Sequence, residues 1–184
     1  MSMRSDDDPD ISHHGEALPV PAGGSILRGA HYYAVRVFFE DTDLSGVVYH
    51  ANYLRWFERA RSDLLRMLDI DQRHAHEGGE GAYAVSDLAI RYAAPARLDD
   101  DVLIETRAMQ IGRASCRLKQ RAFRDVQLLA EMDVRVGFVA PNGRPRRQPE
   151  KWLAAFDNFM NRSPDAGNSA PQGVLPDHSP DLKD

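Results

Sequence analysis

Two carboxylates, a glycine and a histidine lie within ten residues of one another early in the chain. Asp41 and Asp43 end a strand-like run, Gly46 follows them, and His50 stands just before an amphipathic segment. A carboxylate can attack a carbonyl carbon or take a proton from water, and free amides at a helix N-terminus can stabilise the negative charge that forms on the oxygen. The spacing therefore predicts transfer of an acyl group to water.

The order of these residues predicts an oxygen-binding site beside the carboxylate. Gly46 allows a tight turn towards the helix, because glycine adopts backbone angles that other residues avoid. The helix N-terminus then presents unpaired amides near Tyr49 and His50. Asp43 is expected to attack the acyl carbon or to deprotonate a water molecule, while Gly46 and Tyr49 position the substrate oxygen. A thioester suits this site because a thiolate leaves readily.

Two other interpretations of the same loop conflict with their surroundings. Asp41, Asp43 and Ser45 fit the start of an EF-hand calcium loop, but Asn52 stands where the loop needs glutamate, and a strand precedes it where a helix is required. An Asp-x-Asp pair at a strand end also occurs in phosphatases, whose parallel sheet differs from the antiparallel strands expected here. We therefore expect neither a metal ion nor a cofactor.

The elements around the loop are a strand before it and a helix after it. Residues 31–40 alternate between apolar and other side chains, which is typical of a strand. From Asn52 to about Asp69 the apolar residues recur at spacings of three and four, which predicts an amphipathic helix. Asn52 is the expected N-cap, because its side chain can accept a hydrogen bond from a free amide.

Four further strands and a closing helix are predicted downstream. The strand candidates cover residues 82–92, 101–109, 114–123 and 129–139, and residues 149–160 form the helix. Their short connections predict antiparallel neighbours, since a parallel pair needs a long crossover. The expected fold is α+β, with one five-stranded antiparallel sheet packed on one long helix. Such a sheet has two free edges, which favours pairing with a second subunit.

Composition limits the class of protein. The chain has 184 residues, a net charge of −5 and one cysteine. Residues 1–30 carry −3 and residues 161–184 carry −2, so the predicted core, residues 31–160, is neutral and does not suggest nucleic-acid binding. Both polar ends are expected to be disordered. A single cysteine suits a reducing cytoplasm, and we see no signal peptide or transmembrane segment.

Two motifs resemble the 4-hydroxybenzoyl-CoA thioesterase family of hot-dog-fold enzymes. The first contains Glu-Asp-Thr-Asp at 40–43, Gly-Val-Val-Tyr-His at 46–50, Asn-Tyr at 52–53 and Phe-Glu-Arg-Ala-Arg at 57–61; the second is Tyr-Ala-Ala-Pro-Ala-Arg-Leu-Asp-Asp at 92–100. Within the family, the chain resembles most the acyl-CoA thioesterases encoded with the Tol–Pal system of Gram-negative bacteria. The similarity covers about residues 31–160, and two motifs in the right order make it specific.

The resemblance implies a fold, an activity and an assembly. By similarity, Asp43 is the catalytic carboxylate, and the backbone amide of His50 faces the thioester oxygen while its side chain assists. The substrate is implied to be a thioester of CoA or of acyl carrier protein. Subunits are implied to form dimers with active sites at their interface, and dimers to pair as tetramers. The residues that bind the CoA phosphates vary in the family and stay unassigned.

Two alternative functions follow from the same resemblance. A non-catalytic hot-dog protein can bind acyl thioesters as a sensor or scaffold, although the presence of both Asp43 and His50 favours an enzyme. Other hot-dog enzymes hydrate enoyl thioesters with an Asp-x-x-x-x-His pattern. Asp43 and His50 do not form that pattern, because they are seven positions apart and not five.

Several other residues have two interpretations. Two basic groups are candidate CoA-phosphate contacts or simply solvated surface: Arg117, Lys119 and Arg121, and Arg144, Arg146 and Arg147. His74 and His76 lack a carboxylate or cysteine partner and make a poor metal site. Cys116 is typical of a small core residue. Glu58 and Arg61 are three positions apart on the predicted helix and favour an ion pair over a catalytic role.

Overall fold

The described part of the chain, residues 21–161 of a computed structural model, contains one sheet and three helices. In chain order the elements are β1 (Ser25–Leu27), β2 (Ala30–Arg36), a 3₁₀ turn (Phe39–Asp41), α1 (His50–Met67), α2 (Gln72–Glu77), β3 (Ala82–Tyr92), β4 (Asp101–Ile111), β5 (Ser115–Arg124), β6 (Gln127–Val139) and α3 (Glu150–Met160). The predicted α+β class is confirmed, and each predicted strand and helix has a counterpart within a few residues.

The sheet is antiparallel throughout, with the strand order β1-β2-β4-β5-β6-β3. Alternate residues of the central strands point to the buried face, as the period of two requires. On β5 the buried residues are Cys116, Leu118, Gln120 and Ala122. The intervening positions of β5 lie on the opposite, charged face.

The long helix α1 packs its apolar face on this sheet. Trp56, Phe57, Ala60 and Leu64 are almost completely buried, and the first three belong to one core with residues of β4, β5 and β6. Because these helix residues recur at spacings of three and four, a single face of α1 covers the sheet. No helix in residues 21–161 combines the length and apolarity needed to cross a membrane.

The sheet has one strand more than the five predicted. The extra strand, β1, lies in the segment that was expected to be disordered, and it pairs with β2 through a turn at Arg28 and Gly29. Both turn residues have positive φ, the backbone conformation of tight two-residue hairpins. The prediction for residues 21–30 is therefore wrong. The rest of the two predicted tails, residues 1–20 and 162–184, lies outside the described residues.

The prediction that strands joined by short connections are neighbours is wrong for β3 and β4. β3 pairs with β6 at one edge, whereas β4 lies between β2 and β5. The link between β3 and β4, residues 93–100, must therefore pass three strand positions, roughly 14 Å. Eight extended residues reach up to about 26 Å, so a short connection does not require adjacent strands.

α1 begins before the residue at which it was predicted to begin, and this changes the role of Asn52. Tyr49 is the N-cap and His50 the first helical residue, so Asn52 lies inside the first turn. The Asn52 side chain donates its Nδ2 hydrogen to the backbone oxygen of Asp41 at 2.9 Å. Asn52 therefore fastens the preceding loop to the helix instead of capping the helix.

Two shorter helices, α2 and α3, complete the described fold. α2 contains His74 and His76, and it begins at an Asp71 side chain that accepts a hydrogen bond from the amide of His74. In α3, Trp152 and Phe156 are buried.

A buried histidine holds the N-terminal hairpin against α1. His31 on β2 is fully buried, and its Nε2 lies 2.9 Å from Oδ2 of Asp63 on α1. Gly24 donates its amide hydrogen to the same oxygen at 2.8 Å. A Cβ atom at Gly24 would lie 2.4 Å from His31 Nε2, so the close approach requires glycine.

This arrangement predicts a dependence of stability on pH. Burial lowers the pKa of His31 below its ordinary 6.5, although Asp63 opposes the shift. The unfolded chain therefore binds the proton more tightly, and the stability present above pH 6.5 decreases as the pH falls towards the folded-state pKa. His31→Gln should make the melting temperature less sensitive to pH between about 7 and 5, measured by circular dichroism. The control His76→Gln, at an exposed position on α2, should keep the wild-type slope; an unchanged slope in His31→Gln would contradict the prediction.

Candidate active site

The loop between β2 and α1 is a tight turn that presents Asp43. The amide of Asp43 donates to the carbonyl of Val47 at 3.0 Å, and the amide of Gly46 donates back to the carbonyl of Asp43 at 2.9 Å. Gly46 has a φ of 72°, the left-handed conformation that glycine adopts without steric cost. Gly46, which was predicted to allow the turn, therefore occupies a position whose positive φ favours glycine.

The Asp43 carboxylate is exposed and ionised. Its Oδ1 accepts hydrogen bonds from the Ser45 hydroxyl and from the Ser45 amide, the latter at 2.8 Å. These two bonds, first the hydroxyl and then the amide, hold the pKa of Asp43 below its ordinary value, and nearby His50 acts in the same direction. Ser45 was not among the predicted site residues; its two-residue spacing from Asp43 was the available signal, since such turns are common for aspartate.

Of the amides that the sequence suggested, that of His50 has no backbone acceptor in the described chain, whereas those of Tyr49 and Gly46 are engaged. The Tyr49 amide donates to the carbonyl of Asp41 at 2.9 Å, and the Gly46 amide is engaged with Asp43. In the described chain, the first-turn amides without a backbone acceptor are those of His50 and Ala51. The first turn of α1 therefore presents the amides of His50 and Ala51, while Tyr49 contributes its ring, centred 4.5 Å from the His50 ring.

The second sequence motif packs directly on this loop. We call residues 92–97, at the end of β3 and just beyond, the clasp segment. The carbonyl of Ala96 accepts the Val48 amide at 2.8 Å, and the Arg97 guanidinium donates to the carbonyl of Gly46 at 3.4 Å. The motif at residues 92–100 follows the motif at residues 40–61 along the chain, but the contact between the two was not predicted.

Two tyrosines join the clasp segment to α1. The hydroxyl of Tyr92 donates to the carbonyl of His50 at 3.0 Å, and the hydroxyl oxygen of Tyr53 accepts the Ala96 amide at 3.2 Å. The rings of Tyr92 and Tyr53 meet edge to face with centroids 5.6 Å apart. A shallow pocket of about 300 Å³ opens beside them, lined by Val47, Tyr53, Tyr92, Ala93, Ala94 and Pro95. Its apolar walls lie next to the loop that carries Asp43.

Three of the six basic residues considered as phosphate contacts have partners elsewhere in the described chain. Lys119 lies 3.6 Å from Asp133, Arg121 lies 2.6 Å from Glu105, and the Arg146 guanidinium donates to two backbone oxygens between α2 and β3. Arg117 forms no ion pair with any described residue. These contacts favour a structural role for most of the charged sheet face, and they do not assign the CoA phosphates.

The remaining candidate residues have structural partners. Arg61 forms the expected ion pair with Glu58 and also donates to Gln120 Oε1 at 2.7 Å in the core. Cys116 is buried, and burial raises the pKa of its thiol to about 11, so it is not a reactive thiolate at neutral pH. Within residues 21–161, no three histidine, cysteine or acidic side chains come together as metal ligands.

Comparison with known proteins identifies the family. The model of the Thioesterase superfamily matches residues 45–131. The "Acyl-CoA thioesterase YbgC" of Haemophilus influenzae is 40% identical over 135 residues, covering 73% of this chain and 99% of that protein. The "Acyl-CoA thioester hydrolase YbgC" of Escherichia coli is 40% identical over 124 residues, covering 66% of this chain and 92% of that protein.

Solved structures agree with this assignment. The crystal structure of a probable thioesterase from Bartonella henselae has 34% sequence identity and a TM-score of 0.62, covering 65% of this chain and 99% of that chain. This likeness confirms the hot-dog fold implied by the two sequence motifs. On the strength of the Haemophilus relative, matched over nearly its whole length, this chain belongs to the thioesterase superfamily.

Proposed function

We propose that this protein hydrolyses acyl-CoA thioesters to a free acid and CoA, with Asp43 as the catalytic carboxylate. The observation that carries the proposal is the placement of an ionised, exposed carboxylate on the loop that leads into the free amides of α1. The names of the YbgC relatives, which are at 40% identity, support the CoA thioester as the substrate.

The proposed mechanism uses groups of this chain only. The thioester oxygen accepts hydrogen bonds from the amides of His50 and Ala51, where the helix dipole favours negative charge. Asp43 either attacks the acyl carbon or takes a proton from the water molecule that does so. The carbon–sulfur bond then breaks, and its electron pair leaves on the thiolate of CoA. In the nucleophilic route, water next cleaves the acyl–Asp43 anhydride and restores the carboxylate. In both routes water supplies the second oxygen of the acid. The imidazole of His50, at the helix start, assists by its charge or by proton transfer.

We further propose that two copies of the chain pair through β3. This strand is hydrogen-bonded only to β6 within the described chain, and it exposes Val85 and Leu88, with 47% and 40% of their surface accessible. A long edge strand with exposed apolar residues is a favourable site for strand addition. Pairing there would place the Tyr92 end of β3, next to the active site, at the subunit interface. Association of such dimers into tetramers is the larger assembly implied by the family resemblance.

We also propose a cellular setting. One buried cysteine suits a reducing cytoplasm. The two sequence motifs support a place among the thioesterases encoded with the Tol–Pal system.

Turnover with defined substrates tests the proposed function. Purified protein should release free CoA over many turnovers from a panel of acyl-CoA esters of increasing chain length, and EDTA should not inhibit. Parallel assays with acyl carrier protein esters identify the preferred carrier. Saturable binding of every ester without turnover would show the alternative, a non-catalytic binding module.

The hydrogen bonds from Ser45 predict a shift in the pH profile. Ser45→Ala removes the hydroxyl that contributes most to the low pKa of Asp43. The pKa of Asp43 should then rise, so that the acid limb of kcat/KM moves to higher pH while the rate at pH 7 is retained. Measured profiles for wild type and Ser45→Ala test this; Ser62→Ala, whose hydroxyl bonds to Glu58 on α1, is the matched control. A shift to lower pH, or none, would contradict the role of Asp43.

A further inference from the structure

Tyr92 binds the carbonyl oxygen of His50. That carbonyl belongs to the same peptide group as the Ala51 amide, one of the free amides at the start of α1. The His50 carbonyl and the Ala51 amide form one peptide unit, which resonance keeps planar and trans. Tyr92 donates its hydroxyl hydrogen to that carbonyl at 3.0 Å. Whatever fixes the carbonyl therefore also fixes the direction of the Ala51 N–H on the opposite side of the plane.

The Tyr92 ring is held in place by aromatic neighbours. Its centroid lies 6.1 Å from that of His50, with the two planes at 82°, and 5.6 Å from that of Tyr53. Partial burial raises the pKa of Tyr92, so its hydroxyl is a donor at neutral pH. Tyr92 is also the last residue of β3, where it pairs with Ala130 on β6. The hydroxyl is thus anchored to the sheet and not to the helix that it contacts.

A hydrogen bond to a peptide carbonyl also changes the amide of the same unit. Hydrogen bonds in a chain polarise one another, by about 10–30% per bond. The Tyr92 bond therefore makes the Ala51 N–H a stronger donor as well as a better oriented one. Both effects increase as negative charge develops on an oxygen bound to that N–H.

We propose that Tyr92 is a positioning residue for thioester hydrolysis, acting through the His50–Ala51 peptide unit on the amide that stabilises the oxyanion. This inference rests on the proposed function, since it assigns a role in that reaction. Tyr92 itself need not touch the substrate. Its hydroxyl links the sheet to the first turn of α1 and orients the donor before the substrate arrives.

Tyr92→Phe keeps the ring and removes only the hydroxyl. Removal of a direct oxyanion donor costs about 10²–10³ in kcat, and loss of a group that acts through the donor should cost about tenfold. We expect kcat for acyl-CoA to fall by that factor while KM changes less than about twofold, because the bond strengthens in the transition state. The control is Tyr33→Phe, on β2, whose hydroxyl has no hydrogen-bond partner among the described residues; its kcat should equal that of wild type.

A spectroscopic measurement separates positioning from a general structural effect. A non-cleavable ketone analogue of acyl-CoA, labelled with carbon-13 at its carbonyl, should show a lower carbonyl stretching frequency when bound to wild type. In Tyr92→Phe the frequency should return part of the way towards the free value, at an unchanged melting temperature. Equal kcat and equal carbonyl frequency in the two proteins would overturn the inference, as would a rise in KM alone. If wild type itself fails to hydrolyse any thioester, the proposed function fails and not merely the role of Tyr92.

Discussion

Replacing Asp43 with alanine is expected to lower kcat for thioester hydrolysis by about 10³-fold or more. Loss of a general base alone costs about 10²–10⁴, and loss of a nucleophile costs at least as much. Among the described residues the exposed Asp43 side chain bonds only to Ser45, so the fold of that part of the chain does not depend on it. Steady-state assays of CoA release, with the melting temperature measured in parallel, should show an inactive protein of wild-type stability.

A nearby carboxylate provides the matched control for this experiment. Glu40 lies three positions before Asp43, is exposed, and its side chain has no hydrogen-bond partner among the described residues. Glu40→Ala removes the same charge from the same loop and should leave kcat within about twofold of wild type. Hydrolysis by Asp43→Ala at the parental rate, or an equal loss in Glu40→Ala, would remove Asp43 from the mechanism.

The largest effect on stability is expected at the centre of α1. Phe57 is fully buried in the core between the helix and the sheet. Truncation of such a phenylalanine to alanine costs about 3–5 kcal/mol, from lost apolar burial and from the cavity that remains. Urea denaturation of Phe57→Ala and wild type, at one fixed protein concentration, should show this decrease in the free energy of unfolding.

An exposed apolar residue serves as the reference for that measurement. Val126, at the tip of the hairpin between β5 and β6, is 96% exposed. Val126→Ala should change the free energy of unfolding by less than about 0.5 kcal/mol. A loss below about 1 kcal/mol in Phe57→Ala would mean that α1 does not pack on the sheet as described.

Local patterns predicted most of the fold because they reflect which residues are buried. The spacing of three and four in α1 and the alternation in β5 follow from one face of each element packing on the same core. The errors concern contacts between segments distant in sequence. Asn52 has the chemistry of an N-cap, but a backbone oxygen eleven residues earlier takes its side chain. The position of β3 at the far edge depends on a link whose length permits several arrangements.

The candidate site was predictable in its residue types but not in its hydrogen bonds. Asp43, Gly46 and His50 were recognisable from their spacing and their family motif, and the turn at Gly46 has the expected geometry. The engagement of the Tyr49 amide with Asp41 could not be read from sequence, because it depends on the path of the loop. The contact of Tyr92 with the helix start joins residues 42 positions apart, and no local pattern signals it.

Hydrolysis in oxygen-18 water tests whether Asp43 is the carboxylate that brings about the addition of water to the acyl group. Wild type and Asp43→Asn, which keeps the shape of the side chain and removes its charge, are incubated with an acyl-CoA, and the acid is analysed by mass spectrometry. We expect wild type to produce labelled acid and an equal amount of free CoA over many turnovers, while Asp43→Asn produces almost none of either. Unchanged acyl-CoA recovered from wild type, or labelled acid formed equally fast by the variant, would contradict this expectation.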